Sequence, residues 1–193
     1  PILLAKCCHD LDLLMWMKRG VRPVRVSSFG GLVHFRPEGA PAGAGTVCMA
    51  DCKIERDCPY SAVKHYLEMN LWDTYAWRNL EHVEKPTREQ REEKLRDPKN
   101  PFARCVWKSG NDVCDRQSVL IEFEDGSTAT FNLVMGVAHP MRKIHLIGTK
   151  GELRGMFEEG RYTVEKPDAR PGHEYASEEV DTKVSAIGGQ DFG

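Results

Sequence analysis

Apolar residues recur at helical spacing from Leu3 to Arg19. Leu4, Cys8, Leu11 and Met15 trace one stripe, Leu3, Cys7 and Leu14 widen it, and Gly20 supplies a stop. The pattern predicts one helix with a face committed to a core. Pro23 then releases the chain into Val24–Arg36, where β-branched and aromatic residues interrupted by Gly30-Gly31 predict a long strand with a bulge. Residues 37–58 lose all periodicity. Pro, Gly and Ala give way there to a cysteine-bearing stretch, a loop insertion of a length that is usually functional or tied down.

Pro59 can open a helix toward Glu68, and Thr87–Arg96 predicts a charged, solvated helix closed by Asp97-Pro98. Between them, Asn70–Leu80 carries Trp72, Tyr75 and Trp77 without a clear period. Beyond Pro101 the period changes to two. Ser118–Glu124 and Ser127–Met135 flank Asp125-Gly126, a two-residue hairpin signal. Arg142–Ile147, Glu152–Met156 and Tyr162–Glu165 follow, separated by Thr149-Lys150-Gly151 and Glu158-Glu159-Gly160, which predicts an antiparallel meander. From Asp168 to Gly193 the tail is polar, with no obvious closing element. Helices first and hairpin strands later imply an α+β fold: an open, predominantly antiparallel sheet with helices on one face.

Length and charge narrow the picture further. The 193 residues suit a single domain over 1–193. With 27 basic against 29 acidic residues the net charge is -2, so no phosphate-tracking surface is expected and nucleic acid is a poor partner. No run of apolar residues is long enough for a membrane span. The seven cysteines are odd in number and Cys7 adjoins Cys8, which fits reduced thiols in the cytoplasm better than a disulfide framework. The chain opens without an initiator Met and inside an apolar segment, as a fragment would. No glycine-rich strand-turn-helix unit is present to cradle a pyrophosphate.

Chemistry concentrates on the first helix, in Lys6-Cys7-Cys8-His9-Asp10-Leu11-Asp12 followed by Trp16. Residues three and four apart share a face, so Ala5, His9, Asp12 and Trp16 line one side, with Lys6 beside His9 one turn earlier. A histidine there suits alcohol oxidation, because hydride leaves carbon only as the hydroxyl proton is taken, and imidazole titrates near neutrality. Asp12 is placed to orient it, and Lys6 to meet a substrate oxygen. The plain alternative is a Lys6–Asp10 pair with His9 and Asp12 on a solvated face. Spacing alone leaves both open.

The run Leu4-Ala5-Lys6-Cys7-Cys8-His9-Asp10-Leu11-Asp12-Leu13-Leu14-Met15-Trp16 resembles the helix that opens the C-terminal domain of the Gfo/Idh/MocA oxidoreductases. Further matches are Ser27-Ser28-Phe29-Gly30 within Val24–Pro37, Cys58-Pro59-Tyr60-Ser61-Ala62, Asn111-Asp112-Val113, the Glu122–Ala129 hairpin and Ile147-Gly148-Thr149-Lys150-Gly151-Glu152-Leu153. The resemblance implies a two-domain enzyme. An N-terminal Rossmann domain of the same protein would hold NAD or NADP, and this domain would meet a sugar, polyol or related hydroxy substrate and often form a homo-oligomer through its sheet. The family's catalytic His falls on His9, and the Asp three residues later on Asp12. Where many members carry an Asp four residues before that His, this chain has Ala5, with Lys6 the nearest polar group. Glu84-Lys85-Pro86 and Glu165-Lys166-Pro167 match the family's Glu-Lys-Pro motif in letters but not in position, since that motif belongs at the end of a Rossmann strand. Gly188-Gly189-Gln190-Asp191 resembles a late segment that members continue past, so the tail 168–193 is expected to be truncated. Arg104, Asn111 and Asp112 correspond to positions near the substrate cleft, although each taken singly is explained by a polar loop.

Cys48, Cys52 and Cys58 form a C-x3-C-x5-C run inside the long loop. Structural zinc would restrain such a loop and normally takes four ligands. Three are local. The fourth is open among Cys7, Cys8, Cys105, Cys114 and His65, and small buried hydrophobes are the other account of these thiols. Trp72, Tyr75 and Trp77 can stack on a sugar ring or fill a core. His34 is expected as a cross-strand neighbour, and His139-Pro140 and Arg142 as turn residues.

Overall fold

The structure, a computed structural model, describes residues 2–182. The chain divides into two compact units, Pro1–Met135 and Gly136–Gly193, each with a sheet of its own.

In the first unit the expected single helix is two, α1 (Ile2–Lys6) and α2 (Cys8–Met17), because Cys7 leaves helical geometry at φ -103 and ψ 8. Hydrogen bonds from Cys7 N to Leu3 O (3.0 Å) and from Leu11 N to Cys7 O (2.9 Å) still span the break. Arg19 and Gly20 end the helix at φ 51 and 87, a left-handed stop of the kind Gly20 predicts. The strands β1 (Pro23–Gly31), β2 (Arg116–Phe123) and β3 (Thr128–Val134) pair antiparallel with β2 in the centre. β1 stops five residues short of Arg36, and its irregularity lies between Pro23 and Arg25 rather than at Gly30-Gly31. The cause is Asp115, described below, which takes the amides of residues 33–35 away from any ladder.

Along β2, Val119, Ile121 and Phe123 alternate inward, and the register places Phe131 and Ala129 opposite the first two. Leu3, Leu14, Met15 and Val21 pack over them, so helices cover one face of this sheet as predicted. Each large side chain buried there contributes about 1.5–3 kcal/mol. Only part of the expected stripe is used: Leu3, Cys7, Leu14 and Met15 turn inward, while Leu4 is 75% exposed and Cys8 is exposed. At the other end of α2, Lys18 Nζ donates to Asp125 Oδ2 (3.0 Å) and Ser127 Oγ (2.5 Å) and lies 4.9 Å from the Phe123 ring. The helix is thereby fastened to the Asp125-Gly126 turn.

Between β1 and β2 the chain builds a second core from Val47, Ala62, Trp77, Leu80 and Leu95. The helix expected from Pro59 begins only at Val63, and Val63–Glu68 is π-helical, with Met69 N bonded to Lys64 O at 3.0 Å. The ambiguous aromatic segment resolves into α3 (Asp73–Ala76) and a 3-10 turn at Arg78–Leu80. The expected charged helix is α4 (Arg88–Arg96), opened by Thr87 and Gln90 in a capping box.

The second unit is the predicted meander with one strand more: β4 (Lys143–Gly148), β5 (Gly151–Met156), β6 (Arg161–Pro167) and β7 (Tyr175–Asp181), in that order and all antiparallel. β7 lies in the polar tail. Ser177, Glu178 and Glu179 give it no hydrophobic alternation, yet its backbone pairs along the whole of β6. Glu165-Lys166-Pro167 ends β6, and the Gly188–Asp191 segment lies outside the described residues. Among the described residues no helix is long and apolar enough to cross a membrane.

Candidate functional site

α2 turns Leu14 and Met15 toward the sheet and leaves His9, Asp12 and Trp16 exposed on another side, as their spacing predicts. Among the described residues neither the His9 nor the Asp12 side chain has a hydrogen-bond partner. Lys6 is brought somewhere the sequence did not anticipate: its Nζ sits 4.9 Å from the Trp72 ring and 5.4 Å from the Tyr75 ring. The two rings meet edge to face at 6.1 Å, and both are exposed. Trp72 occupies the left-handed region at φ 58, two residues after Asn70 at φ 48. That conformation is costly for a bulky side chain and persists only where the surroundings impose it. Here α4 supplies the constraint. Arg91 Nη1 donates to Asn70 Oδ1 (3.0 Å), its other terminal nitrogen lies 3.5 Å from Asp73, and its guanidinium covers Trp77 at 5.1 Å. Trp77 is buried core, whereas Trp72 and Tyr75 form an open aromatic corner with an ammonium on it.

The cysteine loop is organised by a carboxylate and a two-residue ladder. Asp51 accepts from Thr46 N, Thr46 Oγ1 and Val47 N, each at 2.8 Å, and these bonds hold its carboxyl below the usual range. Val47 bridges Arg104 in antiparallel fashion, flanked by Cys48 N to Ala103 O (3.0 Å) and Cys105 N to Thr46 O (2.8 Å). Alternation along the two segments sets Cys48 and Cys105 on one side of this ladder. Burial pushes the Cys48 thiol up to about 11; a backbone hydrogen bond at Ala62 opposes the rise, and Cys52, Cys105 and Cys58 add to it by their charge. Cys58 is raised by burial, opposed by a backbone hydrogen bond at Tyr60, and raised again by Cys52 and Cys105. Cys58 and Cys105 also share a buried cluster with Phe35 and Trp107. Among the described residues, no group of three or more His, Cys, Asp or Glu side chains could hold a metal ion as those side chains stand.

The polar residues expected near a cleft do other work. Arg104 is exposed and its Nε donates to Pro98 O (3.2 Å), Asn111 Oδ1 accepts from Val113 N (3.2 Å) in a turn, and Asp112 is exposed. None of the three is brought to Lys6 or His9 by any contact among the described residues. His34 joins Phe35, Tyr60 and Trp107 in an aromatic cluster beyond the end of β1 instead of pairing across a sheet. His65 Nε2 lies 2.8 Å from Pro59 O. Sequence reasoning missed Asp115, which is 2% exposed and accepts from Val33 N (3.0 Å), His34 N (2.6 Å) and Phe35 N (2.9 Å). No periodicity marks it. It also missed the network in the second unit, where Glu152 takes His145 Nε2 at 2.7 Å and Arg154 pairs with Glu165. The one legible trace of that network is the sheet period, which sets these charges on one face, diagonal to one another across the strands.

Every strand pairing described is antiparallel, so the parallel strand-helix-strand unit that presents a pyrophosphate cradle is absent among the described residues. In comparison with known proteins, no family model, no curated protein and no solved structure matches the chain.

Proposed function

We propose that this chain is the substrate-side part of an NAD(P)-dependent oxidoreductase acting on a sugar, polyol or related hydroxy compound. The observation that carries the proposal is the Lys6 ammonium over the exposed Trp72 and Tyr75 rings, three residues before the exposed His9. The ordered resemblance of the helix and its downstream segments to the Gfo/Idh/MocA enzymes supports it. In this reading the aromatic corner takes the apolar face of a sugar ring, Lys6 donates to a ring oxygen or hydroxyl, and the His9 imidazole accepts the hydroxyl proton, with Asp12 beside it. NAD or NADP, held by a Rossmann domain acting with this one, supplies the hydride acceptor. No step of that acceptor's binding is assigned to residues of this chain. Arg104, Asn111 and Asp112 are left to their loop roles. Free cysteines favour a cytoplasmic setting, and the exposed apolar residues Val24, Val26 and Phe29 of β1 are consistent with a homo-oligomer.

The test is His9→Ala in the full-length enzyme, which is expected to lower kcat by roughly 10²–10⁴-fold, the usual contribution of a general acid or base. Unchanged turnover would rule out the role given to His9. A second reading, a ligand-binding or oligomerisation module without chemistry, is favoured by Ala5 standing where many members of the family carry Asp. Following reduced-cofactor absorbance of the full-length protein across a panel of sugars and polyols separates the two.

A further inference from the structure

We infer that Cys48, Cys52, Cys58 and Cys105 are the four ligands of one structural zinc ion, which clips the loop of residues 37–58 onto the segment after Pro101. The inference stands apart from the proposed dehydrogenase activity and holds or fails without it. Its basis is convergence from two distant stretches of chain. The Val47–Arg104 bridge brings Cys105 alongside Cys48, although they are 57 positions apart, and sets both on the same side of the ladder. Cys58 packs into one buried cluster with Cys105, and Cys52 lies one residue beyond Asp51, whose carboxylate fastens that turn to Thr46 and Val47. Cys52 and Cys105 both lie near enough to Cys48 and to Cys58 to add to the rise that burial imposes on those two thiols, while His65, one of the alternatives for the fourth ligand, is occupied by the Pro59 carbonyl.

One further feature distinguishes this group from cysteines that serve only as small hydrophobes, and a second says what a thiolate form of it would require. Cys48 and Cys58 each receive a backbone hydrogen bond, at Ala62 and Tyr60 respectively, and amide donors to sulfur are the outer-shell contacts that stabilise thiolate ligands. Three of the four are buried, where thiolates without a cation would be strongly disfavoured. Four thiolates suit zinc, which takes them tetrahedrally with Zn–S near ~2.3 Å. As the side chains stand they do not form a metal-holding group, so binding must draw the sulfurs inward. The exchange is redox-neutral: four S–H protons go to solvent and four Zn–S bonds form, which makes the affinity fall in acid.

The test measures zinc and iron in the chain as freshly purified without chelator, in the wild type, Cys105→Ser and Cys114→Ser. About one zinc per chain is expected in the wild type and in Cys114→Ser, with a fall below half in Cys105→Ser. Should Cys105→Ser fail to fold, the wild type is stripped with chelator and titrated with Co2+, and saturation at one equivalent with the visible bands of a tetrahedral thiolate site supports the inference. Less than half an equivalent of zinc in the wild type overturns it. So do zinc unchanged in Cys105→Ser, loss in Cys114→Ser, iron with acid-labile sulfide in place of zinc, and cobalt bound without thiolate bands.

Discussion

Asp115 is a buried charge answered chiefly by backbone amides, with Arg116 adding a smaller attraction. Burial raises its pKa, but the amides of Phe35, His34 and Val33 outweigh that and hold the carboxyl below 3.8. A folded-state pKa below the unfolded one means that its stabilisation is complete above about 3.8 and is lost as pH falls through the depressed folded value. Asp115→Ala leaves three amides near the end of β1 without an acceptor, and each such group costs roughly 1–3 kcal/mol when buried. Urea unfolding at neutral pH should therefore show a clear loss of stability, smaller in Asp115→Asn, which keeps one acceptor. An Asp115→Ala midpoint equal to that of the wild type would mean that water or neighbouring groups replace the carboxylate. Trp72 shows the same dependence on surroundings: Arg91, distant in sequence, holds Asn70 and Asp73 on either side of its left-handed backbone.

At the scale of elements, α2 is positioned from its ends. The break at Cys7 turns Leu3 and Cys7 inward, and Lys18 ties the last turn to Asp125. The Ser127 hydroxyl first, and Lys18 next, draw the Asp125 carboxyl down to about 2 from 3.8. The contribution of this clamp is therefore present above 3.8 and disappears as pH falls toward 2. Lys18→Met should flatten that acid limb in thermal unfolding measured against pH, with little change in helix content. An acid limb as steep as in the wild type would place the pH dependence elsewhere. In the cysteine loop, a Cβ at Gly45 would lie 2.6 Å from Cys52 N and against Asp51. Overpacking of this sort usually costs about 1–3 kcal/mol. Gly45→Ala is expected to lower Tm and, if the zinc inference holds, zinc content with it; a Tm equal to that of the wild type would mean the loop yields freely.

At the scale of the molecule, the two units carry very different cores. The first buries Phe123, Leu95 and their neighbours, whereas among the described residues of the second no large hydrophobic side chain is buried. Among the described residues neither offers a parallel strand-helix-strand unit, so this chain alone should show no rise in Tm on adding NAD or NADP, because a ligand stabilises only the state it binds. A concentration-dependent rise would show that the chain holds a dinucleotide site of its own.

The sequence by itself determined the α+β class, the Asp125-Gly126 hairpin, the meander and the charged helix that follows Thr87, because each depends on a period or a turn chemistry contained within one element. It also determined that His9 and Asp12 share a side of α2, which follows from helical spacing, whereas the exposure of that side came from the packing of Leu14 and Met15 on the sheet. The break at Cys7, the π-helical hydrogen bonds of Val63–Glu68 and the pairing of the polar β7 were decided by packing and backbone partners that no local pattern records. Only the tertiary structure set Lys6 on Trp72, Asp115 under residues 33–35 and Cys105 beside Cys48, since each joins segments tens of residues apart and periodicity reports on one element at a time.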